Sequence, residues 1–252
     1  MQKQPTWEEK LTELDDVDST NNYAIARISE GLADHGWSVR ANFQTAGRGQ
    51  WGNSWAAEHG ANILCSLVLH MGDTPLMRQF VLNTTFCAAL AGALREMPGL
   101  ETLYIKWPND LYIHGKKIGG ILIENQIRGS QWAYAILGWG INVNQTQFHG
   151  LEKAASIYTI TQQKNDVSAL TRKLLNKIQN PLEAFIGGND NGLAHYNNLL
   201  GKRNELVRFI WKEQLHSGII QGVMANGQLA ISIKGELHLF KHKEIAWHET
   251  TW

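Results

Sequence analysis

The chain has 252 residues, 43% of them hydrophobic, and 23 Lys and Arg balance 23 Asp and Glu. That is apolar material for a real core and length for one large domain, or a catalytic domain plus a small one, so a disordered chain is not expected. A formal net charge of zero argues against a protein whose main work is non-specific binding to DNA or anionic membranes, although it leaves room for a local basic patch. The two cysteines, Cys65 and Cys87, lie in apolar segments with no CxxC or Cys/His cluster, and read as reduced core thiols. No leader peptide opens the chain and no run reaches the ~18 apolar residues of a spanning helix. A soluble cytoplasmic protein is expected.

In chain order, Ser19 or Thr20 caps a helical pattern carrying Ala24, Ile25, Ile28 and Leu32. Residues 37–44 read as a strand, 45–55 as a glycine-rich loop, 61–70 as a strong strand and 75–97 as an amphipathic helix with Pro75 near its first turn. A short strand at 103–107 precedes two apolar runs, 111–113 and 118–124, which flank His114-Gly115-Lys116-Lys117 as a hairpin would. Residues 132–143 form a further strand, broken by Gly138 and Gly140, and 167–185 a helix capped by Asp166. Residues 187–192 are a loop, and a short helix follows at 193–200. Beyond Gly201 the texture changes to short strands near 206–211, 218–224, 228–233 and 236–240, with Asn226-Gly227 and Lys234-Gly235 as turns. Residues 1–200 and 201–252 are therefore expected to be a larger domain and a small all-β one.

Gly47-Arg48-Gly49-Gln50-Trp51-Gly52 fits GxGxxG, but the loop runs into β-rich sequence, and no helix separates it from Asp73, the residue at ribose-carboxylate distance. A dinucleotide fold is thus disfavoured. The glycines still permit close backbone approach to a ligand, Arg48 suits phosphate or carboxylate, and Trp51 and Trp55 offer faces for a base. In Lys106-Trp107-Pro108-Asn109-Asp110, Pro108 sets a bend that presents an amide and a carboxylate. Asp110 is placed to hold a ribose or a magnesium-bound phosphate. Lys117 is a compact cation suited to a reacting carboxylate or phosphate. In the segment 138–144, glycines inside a strand signal a bulge or a close approach, and Asn142 offers an amide to a ligand. Taken alone, the first cluster reads more simply as a mobile surface loop and the second as a solvated turn, and Asn142 is equally a satisfied turn asparagine.

Their combination is more telling. DSTNNYA at 18–24, QTAGRGQWGNSW at 44–55, KWPNDLYIHGKKIGGILIE at 106–124 and GWGINVN at 138–144 resemble the signature of the biotin protein ligases, specifically over residues 13–145 and more weakly through 155–157 and 167–186. The resemblance implies an α+β fold: a mixed β-sheet flanked by helices, like the class II aminoacyl-tRNA synthetase and biotin–lipoate ligase catalytic fold, followed by a small SH3-like β-barrel. It implies ATP-dependent activation of biotin to biotinyl-5′-AMP, with Mg2+, and transfer to a lysine of a biotin carboxyl carrier protein.

By the same resemblance Ser19, Thr20, Gln44, Gly47, Arg48, Lys117, Gly138 and Gly140 bind biotin. Trp55, Asn109, Asp110, Lys117 and Asn142 contact ATP or the adenylate, Asp110 faces the metal, and Lys117 with Arg48 serves catalysis. Two anions must be brought together, so fixed cations and magnesium are needed, not a nucleophilic side chain. A loop that excludes water is needed to keep the adenylate from hydrolysis. The reading requires Arg48 and Lys117 to share one cleft.

Two departures matter. Gln50 and Asn53 stand where relatives often have arginine, which reduces the charge available to retain the adenylate. Some relatives begin with a helix-turn-helix domain, whereas 17 residues precede Asp18 here, so a single-function ligase with no DNA or membrane partner is expected. The nearest alternative is a lipoate or octanoate ligase of the same superfamily; a non-catalytic biotin-binding module and a DNA-binding regulator are others. The sequence leaves open a homodimer, the identity of the carrier and the role of the barrel.

Overall fold

The structure, a computed structural model, describes residues 5–189, 191–248 and 251–252, with the backbone alone at Trp51. The larger part contains β1 (Leu11–Val17), α1 (Thr20–Ser29), β2 (Ser38–Gln44), β3 (Asn62–His70), α2 (Gln79–Arg95), β4 (Tyr104–Lys106), β5 (Asp110–Ile113), β6 (Lys116–Arg128), β7 (Gln131–Asn142), α3 (Ile157–Thr161), α4 (Val167–Ile186) and α5 (Gly192–Leu199). The smaller part contains β8 (Leu206–Trp211), β9 (Gln214–Val223), β10 (Leu229–Ile233), β11 (Glu236–Phe240) and β12 (Ala246–Trp247). The first seven strands form a mixed sheet in the order β1-β2-β3-β7-β6-β5-β4, in which β1 and β2 run parallel. The last five form an antiparallel sheet in the order β11-β10-β9-β8-β12, the counterpart of the expected small barrel. No helix among the described residues is long and apolar enough to cross a membrane.

The strand period of two explains how the main sheet divides its side chains. In β3, Ile63, Cys65, Leu67 and Leu69 point into the large core shared with α2 and α4, whereas Val68 joins a second cluster with Ala24 and Ile28 of α1, Val39 and Ile136. Leu64 and Ser66 therefore lie on the α1 face. Register carries this face across the sheet: Ser66 pairs with Gly138 and Leu64 with Gly140, while Gly120, Leu122 and Glu124 of β6 pair with Gly140, Gly138 and Ile136. The α1 face is thus apolar where α1 covers it and lined by glycine and serine beyond it.

Several local expectations change. β7 is continuous through Gly138 and Gly140, because the neighbouring strands keep its ladder paired on both sides. The β5–β6 turn is only His114-Gly115, both at positive φ, so Lys116 and Lys117 belong to β6 and Asp110 opens β5. Lys212 and Glu213 make the same kind of two-residue turn between β8 and β9 without glycine, so β9 begins at Gln214, four residues before its expected start. Leu32 lies past the end of α1 and is exposed. β1, α3 and β12 went unpredicted: β1 is a half-exposed edge strand carrying Glu13, Asp15 and Asp16, and the other two are short. Both cysteines are buried, and burial pushes both thiols up.

The two sheets share one core. Val207, Phe209, Ile220, Leu229 and Phe240 belong to the same buried cluster as Leu67, Phe86 and Leu137. Gly227 has no side chain because the Phe80 ring occupies that space, and its carbonyl accepts the Trp107 indole N–H at 3.1 Å.

Candidate functional site

A cavity of about 380 Å³ opens on the α1 face of the main sheet, a size within the usual range for small-molecule sites. Its floor is the glycine-rich patch. A Cβ at Gly138 would overlap the Asn21 carboxamide, and one at Gly140 would come within 2.5 Å of the Trp55 ring. Two glycines spaced i, i+2 on one strand face thus admit two side chains that anything larger would expel.

One end of the cavity is a buried hydrogen-bonded cluster. Ser19 and Thr20 stand at the start of α1 with Asn21, and all three are nearly inaccessible. Ser19 makes no side-chain cap bond; instead the Thr20 N–H donates to Gln44 Oε1 at 2.7 Å, and the Thr20 hydroxyl donates to the same oxygen at 3.0 Å. The Ser66 hydroxyl lies 2.8 Å from Thr20 Oγ1 and 2.5 Å from Asn21 Oδ1. Asn21 Nδ2 donates to Glu124 Oε2 at 2.8 Å. A neutral polar group that enters here meets both donors and acceptors already held in place.

The other end is cationic. Arg48, Lys106, Lys117 and Lys243 line the cavity against one lining carboxylate, Asp110, among the described residues. In a chain of zero net charge, that local excess selects an anion. Lys117 Nζ lies 2.7 Å from Asp110 Oδ1 and faces the Trp55 ring at 5.7 Å, while Arg48 Nη2 lies 2.6 Å from Glu124 Oε2. Lys106 rests over the rings of Tyr112 and Trp252 at 4.8 and 5.2 Å, and burial lowers its pKa. Trp55 keeps a buried indole N–H without a protein acceptor. The second sheet closes this end with His242, Lys243, Ile245, Ala246 and Trp247; His242 packs edge-on to Trp107 at 5.5 Å and burial lowers its pKa.

Of the residues proposed from sequence, Ser19, Thr20, Gln44, Arg48, Trp55, Asn109, Asp110, Lys117, Gly138 and Gly140 line this one cavity. Arg48 and Lys117 share it, as the electrostatic reading requires. Gly47 and Asn142 are not among its lining residues. Gly47 lies behind Trp55, whose N–H donates to the Gly47 carbonyl at 2.9 Å. The Asn142 side-chain amide donates to the Ala155 carbonyl at 2.9 Å and so braces the end of β7. The Asn109 amide is likewise committed to the Ile121 carbonyl. Gln50 and Asn53 do face the cavity, and the Trp51 side chain lies outside the described residues. Sequence reasoning missed Asn21, Ser66, Lys106 and the 242–247 wall. Asn21 and Lys106 lay inside the quoted motifs, but Ser66 carries no local signal, and the wall comes from the distant second sheet.

As to a metal, Asp110 is the one carboxylate at the cavity among the described residues. Among the described residues, the one group of three ligand-type side chains that converge, Asp15, Asp16 and His59, is exposed and outside the cavity.

Comparison with known proteins agrees with this geometry. The signature of the biotin/lipoate A/B protein ligase family matches residues 14–142. The chain is 29% identical over 238 residues to the bifunctional ligase/repressor BirA of Escherichia coli, covering 91% of this chain and 71% of that protein. It is 29% identical over 181 residues to the biotin–[acetyl-CoA-carboxylase] ligase of Mycobacterium tuberculosis, covering 71% of this chain and 66% of that one. Among solved structures, the Aquifex aeolicus biotin protein ligase in complex with biotin and ATP superposes with a TM-score of 0.75 at 25% identity, covering 94% of this chain and 98% of that one. The matched segment spans half of the chain and contains the glycine loop, the lysine hairpin and the glycine strand together, and the chain therefore belongs to the biotin/lipoate A/B protein ligase family.

Proposed function

We propose that the chain is a biotin protein ligase whose cavity holds biotin at the hydrogen-bonded end and ATP at the cationic end. The observation that carries this is that a single cavity joins the hydrogen-bonded cluster of Thr20, Gln44, Ser66 and Asn21 to four lining cations, of which Arg48 reaches that cluster through Glu124. A ureido ring both donates and accepts hydrogen bonds and would satisfy Thr20, Gln44, Ser66 and Asn21. The aliphatic end of octanoate and the dithiolane ring of lipoate lack the paired donors and acceptors that match this cluster, which disfavours the alternative acids.

In the first step a biotin carboxylate oxygen attacks the α-phosphorus and pyrophosphate departs. In the second, a carrier lysine amine attacks the acyl carbon of the mixed anhydride and AMP departs. Arg48 and Lys117 offset the repulsion between carboxylate and triphosphate, Lys106 and Lys243 extend the field toward the outer phosphates, and Trp55 offers its face to adenine. Asp110, the one lining carboxylate among the described residues, would be the residue to hold a Mg2+ bound with the nucleotide. That ion would neutralise phosphate charge. The acceptor is a biotin carboxyl carrier domain.

The test is a labelling assay with biotin, ATP, magnesium and a biotin carboxyl carrier domain, with pyrophosphate release read in parallel. Wild type should release pyrophosphate with biotin and not with lipoate. Lys117→Ala and Arg48→Ala should each fall by roughly 10²-fold or more, the scale of removing one charge-stabilising group. Pyrophosphate release driven by lipoate in place of biotin would overturn the assignment.

A further inference from the structure

We propose that Glu124 is a positioning residue that latches the glycine loop to the polar cluster at the closed end of the cavity. Its consequence for catalysis rests on the biotin–ATP reading, but its geometry does not. Residues 47–55 hydrogen-bond mainly to one another: the Gly49 N–H donates to the Asn53 carbonyl at 2.7 Å and the Trp55 backbone N–H to the Gly47 carbonyl at 2.9 Å, which together pair Arg48 with Ser54 as an isolated antiparallel bridge. The loop is anchored at its start by the Thr45 and Ala46 N–H groups, which donate to the Val17 and Asp18 carbonyls at 2.9 Å; beyond these, among the described residues, the one hydrogen bond by which it reaches the sheet is Arg48 Nη2 to Glu124 Oε2, 2.6 Å. The same carboxylate oxygen accepts from Asn21 Nδ2 at 2.8 Å.

Glu124 therefore joins two segments distant in sequence. From Asn21 the chain of bonds continues through Ser66 to Thr20 and Gln44. Every member beyond Glu124 except Gln44 is buried, so the amide of Asn21 has little freedom once its Oδ1 is engaged by Ser66. Glu124 itself is 28% exposed and Arg48 40% exposed. A partly exposed ion pair adds little to global stability. What it can do is set the position of a loop whose other bonds, beyond its anchored start, are internal. Arg48 spends one nitrogen on Glu124, and a guanidinium has five N–H donors, so the latched arginine keeps donors free for an anion in the cavity. An occupant of the polar end that engages Thr20 and Gln44 stiffens the same relay, and through Glu124 it holds the loop over the cavity.

The experiment is amide hydrogen exchange on the ligand-free chain, comparing wild type with Glu124→Gln and Glu124→Ala. The latch predicts roughly fivefold or faster exchange at Gly49, Asn53 and Trp55, with α4 unchanged, because only a local opening is released. Arg48→Ala should reproduce the effect, and combining it with Glu124→Ala should add nothing further, as expected of two partners in one contact. In the second readout, preformed biotinyl-adenylate should escape about tenfold faster from Glu124→Gln, a larger change than that in its rate of formation, because the loop excludes water and retains the intermediate.

Unchanged loop exchange in both variants overturns the proposal. So does loss of protection throughout the chain, α4 included, which would make Glu124 a fold-holding residue. Exchange is read without ligand, so a chain that makes no adenylate would sink the biotin reading and leave the latch standing. An active enzyme with undisturbed loop exchange would do the reverse.

Discussion

Gly138 and Gly140 are two residues apart on one face of β7 and do different work. The first makes room for Asn21 at the polar end and the second for Trp55 at the cationic end. Adding one methyl at each should separate the two substrates. Gly138→Ala is expected to weaken biotin binding by roughly tenfold or more while sparing ATP, and Gly140→Ala to raise the KM for ATP with less effect on biotin, as overpacking displaces one neighbour each time. Isothermal titration with biotin, and pyrophosphate release against ATP concentration, would show it; equal loss of both ligands in both variants would count against this division.

Gln50 belongs to the same scale. It faces the cavity and brings no charge to the loop that covers it. Gln50→Arg should lower the labelling of stray lysines on a bystander protein, read by mass spectrometry, and leakage equal to wild type would reject the link. Arg48, Lys117 and Trp55 were recognisable from their motifs, because chemistry that joins two anions needs fixed cations and a stacking face. Ser66 was not, since a serine in a buried strand looks like any small residue until register sets it opposite Gly138.

Among the elements, β1 shows how an unremarkable sequence acquires a role. Its Glu13 accepts from Arg40 of β2 at 2.9 Å, and from Ser168 and Arg172 of α4 at 2.8 and 2.6 Å. Burial pushes the Glu13 carboxyl up, but the three hydrogen bonds and the Arg40 charge outweigh it and hold its pKa below the ordinary glutamate value. A carboxylate with a depressed pKa contributes stability that is present above its unfolded pKa and is lost as pH falls through the folded value. Glu13→Gln should thus cost roughly 1 kcal/mol at pH 7 and less at an acid pH below the folded pKa, where the wild-type carboxyl is itself protonated. Urea melts at the two pH values would measure the difference, and an equal cost at both would exclude an ionic role. Hydrophobic periodicity could not find β1, because an edge strand with half-exposed faces has no strong alternation to read. The β8–β9 turn was missed for a related reason: Lys212-Glu213 adopts left-handed backbone without the Asn-Gly chemistry that usually marks it.

For the whole molecule, the sharing of one buried cluster between the two sheets predicts coupled unfolding. Differential scanning calorimetry should give a single transition whose calorimetric and van't Hoff enthalpies agree, and two resolved transitions would show that the 201–252 segment is an independent unit. The same packing brings His242, Lys243 and Trp247 to the rim of a cavity floored by the main sheet.

Most elements, the two cavity cations Arg48 and Lys117 and the ligase family were legible along the chain, because capping, apolar periodicity and closely spaced motifs are local properties. The polar relay from Gln44 to Arg48, the pairing of Arg48 with Glu124 and of Lys117 with Asp110, and the wall supplied by the second sheet were not. They depend on strand register and on which faces meet across the fold, and no run of neighbouring residues encodes either.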